Sequence, residues 1–490
     1  MFSPSCQFRT VSMTNRFCIA LFVLLLGSPL IAASEAGDEI VGDWTGKLEM
    51  PNSRSELRLI LHIQRNDKGQ LFSTMDSPDQ GAAGIPASSI TYGNKDLEIR
   101  FASIGGLYRA KFQENGRLDG IWSQGGARLD MSMIRLEEQQ PSGRPQDPKA
   151  PFPYVSKDIS FENKTSQITL AGTLSIPNGS GPFPAVIIIS GSGQQNRDGE
   201  LLNHRPYLIL SDYLTRNGIA VLRYDDRGFA KSTGAFNSAD SRDFATDALA
   251  GRDWLKKQVN IDTTAIGFIG HSEGGYIAAM LAAENPNVPF IISLAGSGIR
   301  GDEIIKQQTA LILKAHGGSA KLIAWNRDLQ ENLFQIVKDE PDNTIAKQKI
   351  RSHFNSFFAS LNDEEKKEFS QNGDIDANIA LNASQLTSPW FRFFLQHDPA
   401  TDWQRVRCPV LAIIGSKDLQ VPPQVNLNAI RAALQKAGNK RTTVKELEGL
   451  NHLFQNAISG APSEYGAISE TFSPSAMKLV RDWILQTVKE

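Results

Sequence analysis

Residues 265–284 read AIGFIGHSEGGYIAAMLAAE. An apolar run ends at Gly270, a lone serine follows at position 272, glycines stand at 270, 274 and 275, and an alanine-rich, helix-favouring segment begins. A strand that turns sharply into a helix holds its apex residue in strained backbone geometry. Bulky residues two positions either side would clash there. The G-x-S-x-G spacing of Gly270, Ser272 and Gly274 meets that need and predicts a serine hydroxyl projecting above a sheet. The first amides of the following helix would face the same point and favour developing negative charge.

The surrounding sequence supplies the sheet. PAVIIISGSG (184–193), GIAVLRYDDRG (218–228), PFIISLAG (289–296) and PVLAIIGSKD (409–418) are near-continuous apolar runs, as expected of strands covered on both faces. TTVKELEG (442–449) is read as the last strand, and SRDFATDALAGRDWLKKQ (241–258), 423–437 and 474–489 as helices. Such alternation implies a mostly parallel sheet, an α/β fold. Residues from about 300 to 406 contain no buried-strand run and read as a helical insertion, or cap. Its aromatics, including Trp390, Phe391, Phe393 and Phe394, suit core packing, and the 390–394 cluster could also line a pocket.

Upstream the pattern changes. Residues 37–137 alternate with period two. In SELRLILHIQR (55–65), Leu57, Leu59, Leu61 and Ile63 share one face, and Glu56, Arg58, His62 and Gln64 the other. This predicts a small antiparallel barrel or sandwich. GDWTG (42–46) is similar to the Gly-x-Trp opening of lipocalin-like barrels, a short and weakly specific match. His62 falls on the polar face and is expected to be a solvated strand residue. Five prolines in EEQQPSGRPQDPKAPFP (137–153) predict an extended linker over 138–153, followed by the catalytic domain at 154–490.

The 490-residue chain is long enough for two or three domains. Its net charge of −2 and absence of a basic stripe argue against nucleic-acid partners. Arg9 and Arg16 precede the apolar run FCIALFVLLLGSPLIAA (17–33), the layout of a secretory signal peptide with an apolar middle of about 13 residues. The run is short for the roughly 20 residues that span a bilayer. Residues 1–33 are therefore expected to be a cleaved leader, with cleavage after Ala33 or Ala36, and the protein to be periplasmic or secreted without stable membrane insertion. Met13 is an alternative start. Cys6 and Cys18 fall in the leader, so Cys408 alone remains and neither an internal disulfide nor a Cys-based metal site is expected.

A serine hydroxyl needs a base, and the base an orienting acid. Of the seven histidines, His62 lies upstream, His204 precedes the serine strand, His271 adjoins the serine and should point away from the apex, and His316, His353 and His397 fall in the insertion. His452, in EGLNHLF just past the last strand, fits the order Ser, Asp or Glu, His. Asp418, in IIGSKDLQVPP at the carboxyl end of the strand after the insertion, is the preferred acid. Asp398 and Asp402 follow no apolar strand, and Asp418 could instead cap the helix beyond Pro422. An oxyanion needs backbone donors about 3 Å away. The Glu273 amide is one, and the loop after Ser190 should supply the other: Ser192, with Gly193 or Gln194 as alternatives. Two decoys fail. Asn196 replaces the third glycine of a dinucleotide fingerprint, and Ala230 the glycine before the lysine of a phosphate loop. No H-E-x-x-H zinc motif occurs.

Together GHSEGG, RYDDRGFAKS, GSKD and NH resemble the elbow, D-x-R-G-x-G-x-S loop, acid and base of the α/β-hydrolase superfamily, with Ala230 where that loop usually has glycine. SGSGQQNRDG, LRYDDRG and GLNHLFQ resemble bacterial EstD-type carboxylesterases over about 155–490. The resemblance implies an α/β-hydrolase fold, a Ser272–His452–Asp418 triad and hydrolysis of carboxylic esters of short acyl chains, with no cofactor and a small-molecule ester as partner. It implies no clear activity for the N-terminal β domain. A serine aminopeptidase or acyl-peptidase using the same triad is the alternative. It would need carboxylates for the substrate ammonium, and Glu331, Asp339 and Glu340 of the insertion are candidates. A non-catalytic ligand-binding protein on the same fold is a third reading.

Overall fold

Period-two alternation upstream becomes a nine-stranded antiparallel sheet between Gly42 and Arg135. It is curled so that its third and fifth strands, Leu71–Ser77 and Ser89–Gly93, touch. Trp44, Leu59, Leu61, Ile63, Tyr108 and Trp122 fill the inner face. The computed structural model describes residues 38–49, 56–66, 69–77, 82–124, 127–136, 144–363, 365–366 and 375–489. The expected leader and residues 138–143 of the expected linker lie outside them.

His62 is not simply solvated on its strand. Its ring bridges two neighbouring strands, Nδ1 to Asp43 Oδ1 at 2.8 Å and Nε2 to Asp76 Oδ2 at 3.1 Å. Burial by itself would lower its pKa. Hydrogen bonds and charge from Asp76 and then Asp43 outweigh that and push it up to about 9. The described part of the expected linker is fastened by side-chain bonds. Arg144 donates to the carbonyls of Leu202, Gly466 and Ile468, and Gln146 Oε1 accepts from the amides of Thr471 and Phe472. The Arg144 and Gln146 side chains, bonded to backbone groups of the following domain, hold this segment despite its prolines.

The second sheet has eight strands: β1 (Tyr154–Asn163), β2 (Ile168–Pro177), β3 (Phe183–Ile189), β4 (Ala220–Tyr224), β5 (Ile261–His271), β6 (Ile291–Leu294), β7 (Val410–Gly415) and β8 (Thr442–Leu447). Their spatial order is β1-β2-β4-β3-β5-β6-β7-β8. The β1–β2 and β2–β4 pairs are antiparallel and every other pair is parallel. The β1–β2 hairpin is an addition to the sequence reading. Only its second strand is mostly buried, so no clean alternation announces the first. Helix α1 (Pro206–Arg216) was also not anticipated.

The apolar strands serve two cores at once. Ile187 and Ile189 of β3 face α2 (Ser241–Leu255) and α3 (Glu273–Glu284), whereas Val186 and Ile188 face α1 and the C-terminal helix Pro474–Thr487. Each such side chain contributes about 1.5–3 kcal/mol of burial. Between β6 and β7 the chain leaves the sheet and forms α4 (Gly301–Ala315), α5 (Ala320–Asp339), α6 (Asn343–Ser360), α7 (Ile375–Leu386), α8 (Pro389–Gln396) and α9 (Pro399–Trp403). This is the expected helical insertion, and its own core includes Leu333, Phe334, Ile350 and Phe391. Among the described residues no helix is long and apolar enough to cross a membrane.

Candidate active site

The turn from β5 into α3 places Ser272 at φ 54° and ψ −118°. A non-glycine residue there stores strain of about 1–3 kcal/mol that its surroundings must impose. They do so with the Ser272 amide bonded to Leu294 O at 2.8 Å and its carbonyl accepting from Gly275 N at 2.9 Å. The flanking glycines follow from contact. A Cβ on Gly270 would lie 1.8 Å from Gly274 O, and one on Gly274 would lie 2.3 Å from Ile189 O.

The loop after β3 passes directly beside the elbow. A Cβ on Gly191 would sit 3.2 Å from Ser272 Cβ. Asp226, just past β4, holds this loop: Oδ1 accepts from Ser190 Oγ at 2.5 Å and Oδ2 from Gln195 N at 2.8 Å. Burial drives the Asp226 carboxyl up to about 8 despite both bonds. Among the described residues the amides of Ser192, Gly193 and Gln194 donate to no protein acceptor. The Glu273 amide, at the first position of α3, belongs to the helix-terminal donors that have no intrahelical acceptor. Ala230, at the glycine position of the D-x-R-G loop, takes φ 46°, the left-handed region that explains a preference for glycine there. In the same loop Arg227 donates two buried hydrogen bonds to Asp247, at 2.7 and 2.9 Å.

Asp418 and His452, the expected acid and base, follow the ends of β7 and β8. Asp418 Oδ2 lies 2.7 Å from His452 Nδ1, and both residues are buried. Asp418 Oδ1 meanwhile accepts from Gln420 N and Val421 N, each at 2.8 Å. Its two oxygens thus serve a turn and the imidazole, and the helix beyond Pro422 has no side-chain cap. With an Nδ1 proton donated to Asp418, Nε2 of His452 is left as an acceptor. Among the described residues Ser272 Oγ has no hydrogen-bond partner. A nucleophile–base bond of this kind commonly tightens only when substrate is bound. The runners-up are engaged elsewhere. Asp398 caps α9, and Asp402 pairs with His397 at 2.7 Å and with Arg405 at 2.6 Å.

Two buried residues beside Ser272 escaped the sequence reading in their side-chain roles. The His271 ring lies beneath the elbow, with Nε2 donating to His452 O at 2.9 Å and Nδ1 3.3 Å from Tyr207 OH. Burial, then the neighbouring His452, lowers its pKa to about 3, so it is neutral. Tyr207 OH also donates to Gln195 Oε1 at 2.9 Å and accepts from Gly191 N at 3.3 Å, joining the base loop to the loop after β3. The Glu273 carboxylate is the second, held by Ser241, Tyr276 and Trp390. An ionisable residue next to the elbow serine was the signal available for both. The Trp390–Phe394 cluster divides its roles. Phe391 is fully buried in the cap, Trp390 reaches the elbow, and Phe393 stacks on His397. Of the cap acids, Glu331 is bonded to Lys306, Asp339 to Gln335 and Glu340 to Lys349.

The strand order, the strained elbow and the cap between β6 and β7 define an α/β hydrolase. A sequence profile described as X-Pro dipeptidyl-peptidase (S15 family) matches residues 166–444, and the chain belongs to that family. The esterase EstD of Thermotoga maritima is 25% identical over 317 residues, which are 64% of this chain and 65% of that protein. The chain therefore spans less than two thirds of that relative's length. Among solved structures, the esterase Pf2001 of Pyrococcus furiosus is similar with a TM-score of 0.41 at 15% identity, covering 68% of this chain and 91% of that one. Est1E of Butyrivibrio proteoclasticus, solved with ferulic acid bound, is similar with a TM-score of 0.38 at 19% identity, covering 68% and 100%.

Proposed function

We propose that the protein is an exported serine esterase acting on carboxylic esters of short acyl chains through Ser272, His452 and Asp418. Ser272 Oγ attacks the ester carbonyl carbon while His452 Nε2 takes its proton. Asp418 holds the imidazole and stabilises the imidazolium. The oxyanion is met by the amides of Glu273 and Ser192, with Gly193 or Gln194 as the alternative second donor. The tetrahedral intermediate collapses, the alcohol leaves with the proton from His452, and an acyl-enzyme remains. Water, activated by the same imidazole, then releases the acid and frees Ser272.

The observation that supports this reading is the buried 2.7 Å His452–Asp418 bond, together with a serine held in strained geometry at the turn from β5 into α3. The test is turnover of p-nitrophenyl acetate by the parent and by Ser272→Ala. A loss on the order of 10⁶ in kcat is expected where serine and base act as a unit. Unchanged turnover would return the non-catalytic ligand-binding reading.

A dipeptidyl- or aminopeptidase activity on the same residues is the second reading, favoured by the family profile. Against it, Glu331 and Glu340 are already paired with lysines of the cap and do not stand free for a substrate ammonium. Strong preference for aminoacyl p-nitroanilides over p-nitrophenyl acetate would reverse the ranking. Export rests on the leader-like residues 1–33. Recovery of the full-length protein from the cytoplasm with its N-terminus intact would refute it.

A further inference from the structure

Glu273 was expected to contribute only its amide, yet its side chain is the costlier feature. The carboxylate is 5% exposed. Donors from three helices converge on a single oxygen, Oε1. Ser241 Oγ at the start of α2 lies at 2.5 Å, Trp390 Nε1 from cap helix α8 at 2.8 Å, and Tyr276 OH, one turn along α3, at 3.4 Å. Ser241 Oγ and Tyr276 OH also bond to each other at 2.5 Å. Among the described residues Oε2 has no partner. Burying a carboxylate costs several kcal/mol unless the site compensates it, and an apolar residue of similar volume would avoid that cost.

The far side of Trp390 is braced as well. Its ring stacks on Phe394 at 5.2 Å and 8°. Phe394 in turn packs so closely on Gly301 that a Cβ there would lie 2.3 Å from Phe394 O, which ties the indole to the start of α4. One residue therefore carries a donor candidate for the oxyanion on its backbone and an anchor for the cap on its side chain.

We propose that Glu273 is a positioning residue: the Trp390–Glu273 hydrogen bond locks the cap onto the elbow, so docking of the cap sets the alignment of the Glu273 amide. The inference rests on the esterase reading of Ser272. The charged groups around the carboxylate make the lock sensitive to protonation. Asp240, ahead of α2, and Asp226, past β4, are acidic neighbours that oppose its ionisation. Among the described residues, the cations nearest on the packed elements are engaged elsewhere. Arg242 is bonded to Asp240 and lies over Phe393, Arg392 is bonded to the carbonyls of Val337 and Glu340, and His397 is bonded to Asp402. Burial accordingly lifts the Glu273 carboxyl to about 7.

Trp390→Phe keeps the aromatic stack and removes the indole N–H. With p-nitrophenyl acetate followed from about pH 5 to 9, it lowers kcat roughly 5- to 20-fold and changes KM by less than about twofold. Glu273→Gln, which can still accept from Trp390, retains more activity than Glu273→Ala. The acid limb of log kcat is steeper in the parent than in Glu273→Gln, because only the parent can take up a proton on this carboxylate. Parent-like kcat in Trp390→Phe together with an unchanged acid limb in Glu273→Gln overturns the proposal. So does a loss confined to KM, which would make both residues walls of the substrate pocket. If Glu273→Ala does not fold, Trp390→Phe and Glu273→Gln decide alone. Ser272→Ala, run alongside, separates the two claims: if it retains turnover the esterase reading has failed, and if it is inactive while Trp390→Phe matches the parent only the lock has failed.

Discussion

His271 donates its Nε2 proton to the backbone carbonyl of His452 at 2.9 Å, so the residue before the elbow serine supports the loop that carries the proposed base. Its ring centroid lies 4.9 Å from that of His452. This contact places β5 and the loop after β8 in register around the serine, without His271 itself touching the reacting atoms. His271→Phe preserves much of the volume and removes the bond. Its kcat for p-nitrophenyl acetate is expected to fall roughly tenfold with KM little changed. Because His271 titrates near 3, its loss should leave the pH profile above about pH 5 unmoved. A shifted profile would contradict the neutral, supporting role.

Asp418→Asn leaves the amides of Gln420 and Val421 with an acceptor and takes away the charge facing His452. The imidazole then loses the partner that selects its tautomer. A drop in kcat on the order of 10³–10⁴ is expected, with the melting temperature nearly preserved. A drop smaller than about tenfold would point to another acid.

Asp226 has a folded-state pKa raised from 3.8 to about 8 by burial. A raised pKa means that the folded chain holds the proton more tightly. The associated stability is complete below about 3.8 and is lost as pH rises through about 8. Asp226→Asn can still bond both Ser190 and Gln195 if its amide is turned toward the serine hydroxyl. The variant should therefore melt above the parent at about pH 9, with the gap closing toward about pH 4. Thermal scans at both pH values decide it, and a parent that is the more stable at the higher pH rules out a charge penalty at this site.

In the N-terminal sheet the sign gives the same direction for a different reason. His62 is raised from 6.5 to about 9, so its contribution is full below about 6.5 and disappears as pH rises through about 9. His62→Gln should lower the melting temperature, followed through Trp44 and Trp122 fluorescence, at about pH 6 and have little effect near pH 10. An equal loss at both would show that packing, not the Asp43 and Asp76 pairing, is what the imidazole supplies.

Gly274→Ala would push a methyl group against Ile189 O, 2.3 Å from the Cβ position, in backbone that cannot swing away. Loss of folded protein, or recovery only with the elbow displaced and turnover abolished, is expected on expression and assay. A variant with parental activity and melting temperature would refute the tight elbow–β3 contact.

The strongly patterned parts were readable because their physics is local. The run from Ile266 to Gly270 and the spacing of Gly270 and Gly274 announce a buried strand and a tight turn, whatever lies elsewhere in the chain. The order of Ser272, Asp418 and His452 could be read once strands had been placed before each, apolar ahead of the first two and half-exposed ahead of the third. The β1–β2 hairpin could not, because most of β1 faces solvent and its exposed residues carry no core signal. Helix α1 did have a signal: Pro206 at its start and Tyr207, Leu210 and Leu214 on a buried face. His62 was misjudged because its partners, Asp43 and Asp76, come from neighbouring strands whose register the pattern alone did not pair.

What the chain's order of residues determined by itself is the kind of each element and the place where a serine must stand proud of a sheet, since steric and hydrophobic demands act over a few neighbouring positions. What only the tertiary structure decided is which distant groups meet there: the indole of Trp390 on Glu273, the imidazole of His271 under His452, the two oxygens of Asp418 divided between a turn and a base. The first two pairings bring residues more than a hundred positions apart, and Asp418 meets His452 across 34, to within about 3 Å in a water-poor interior, where a hydrogen bond gains strength and an unmet charge becomes costly.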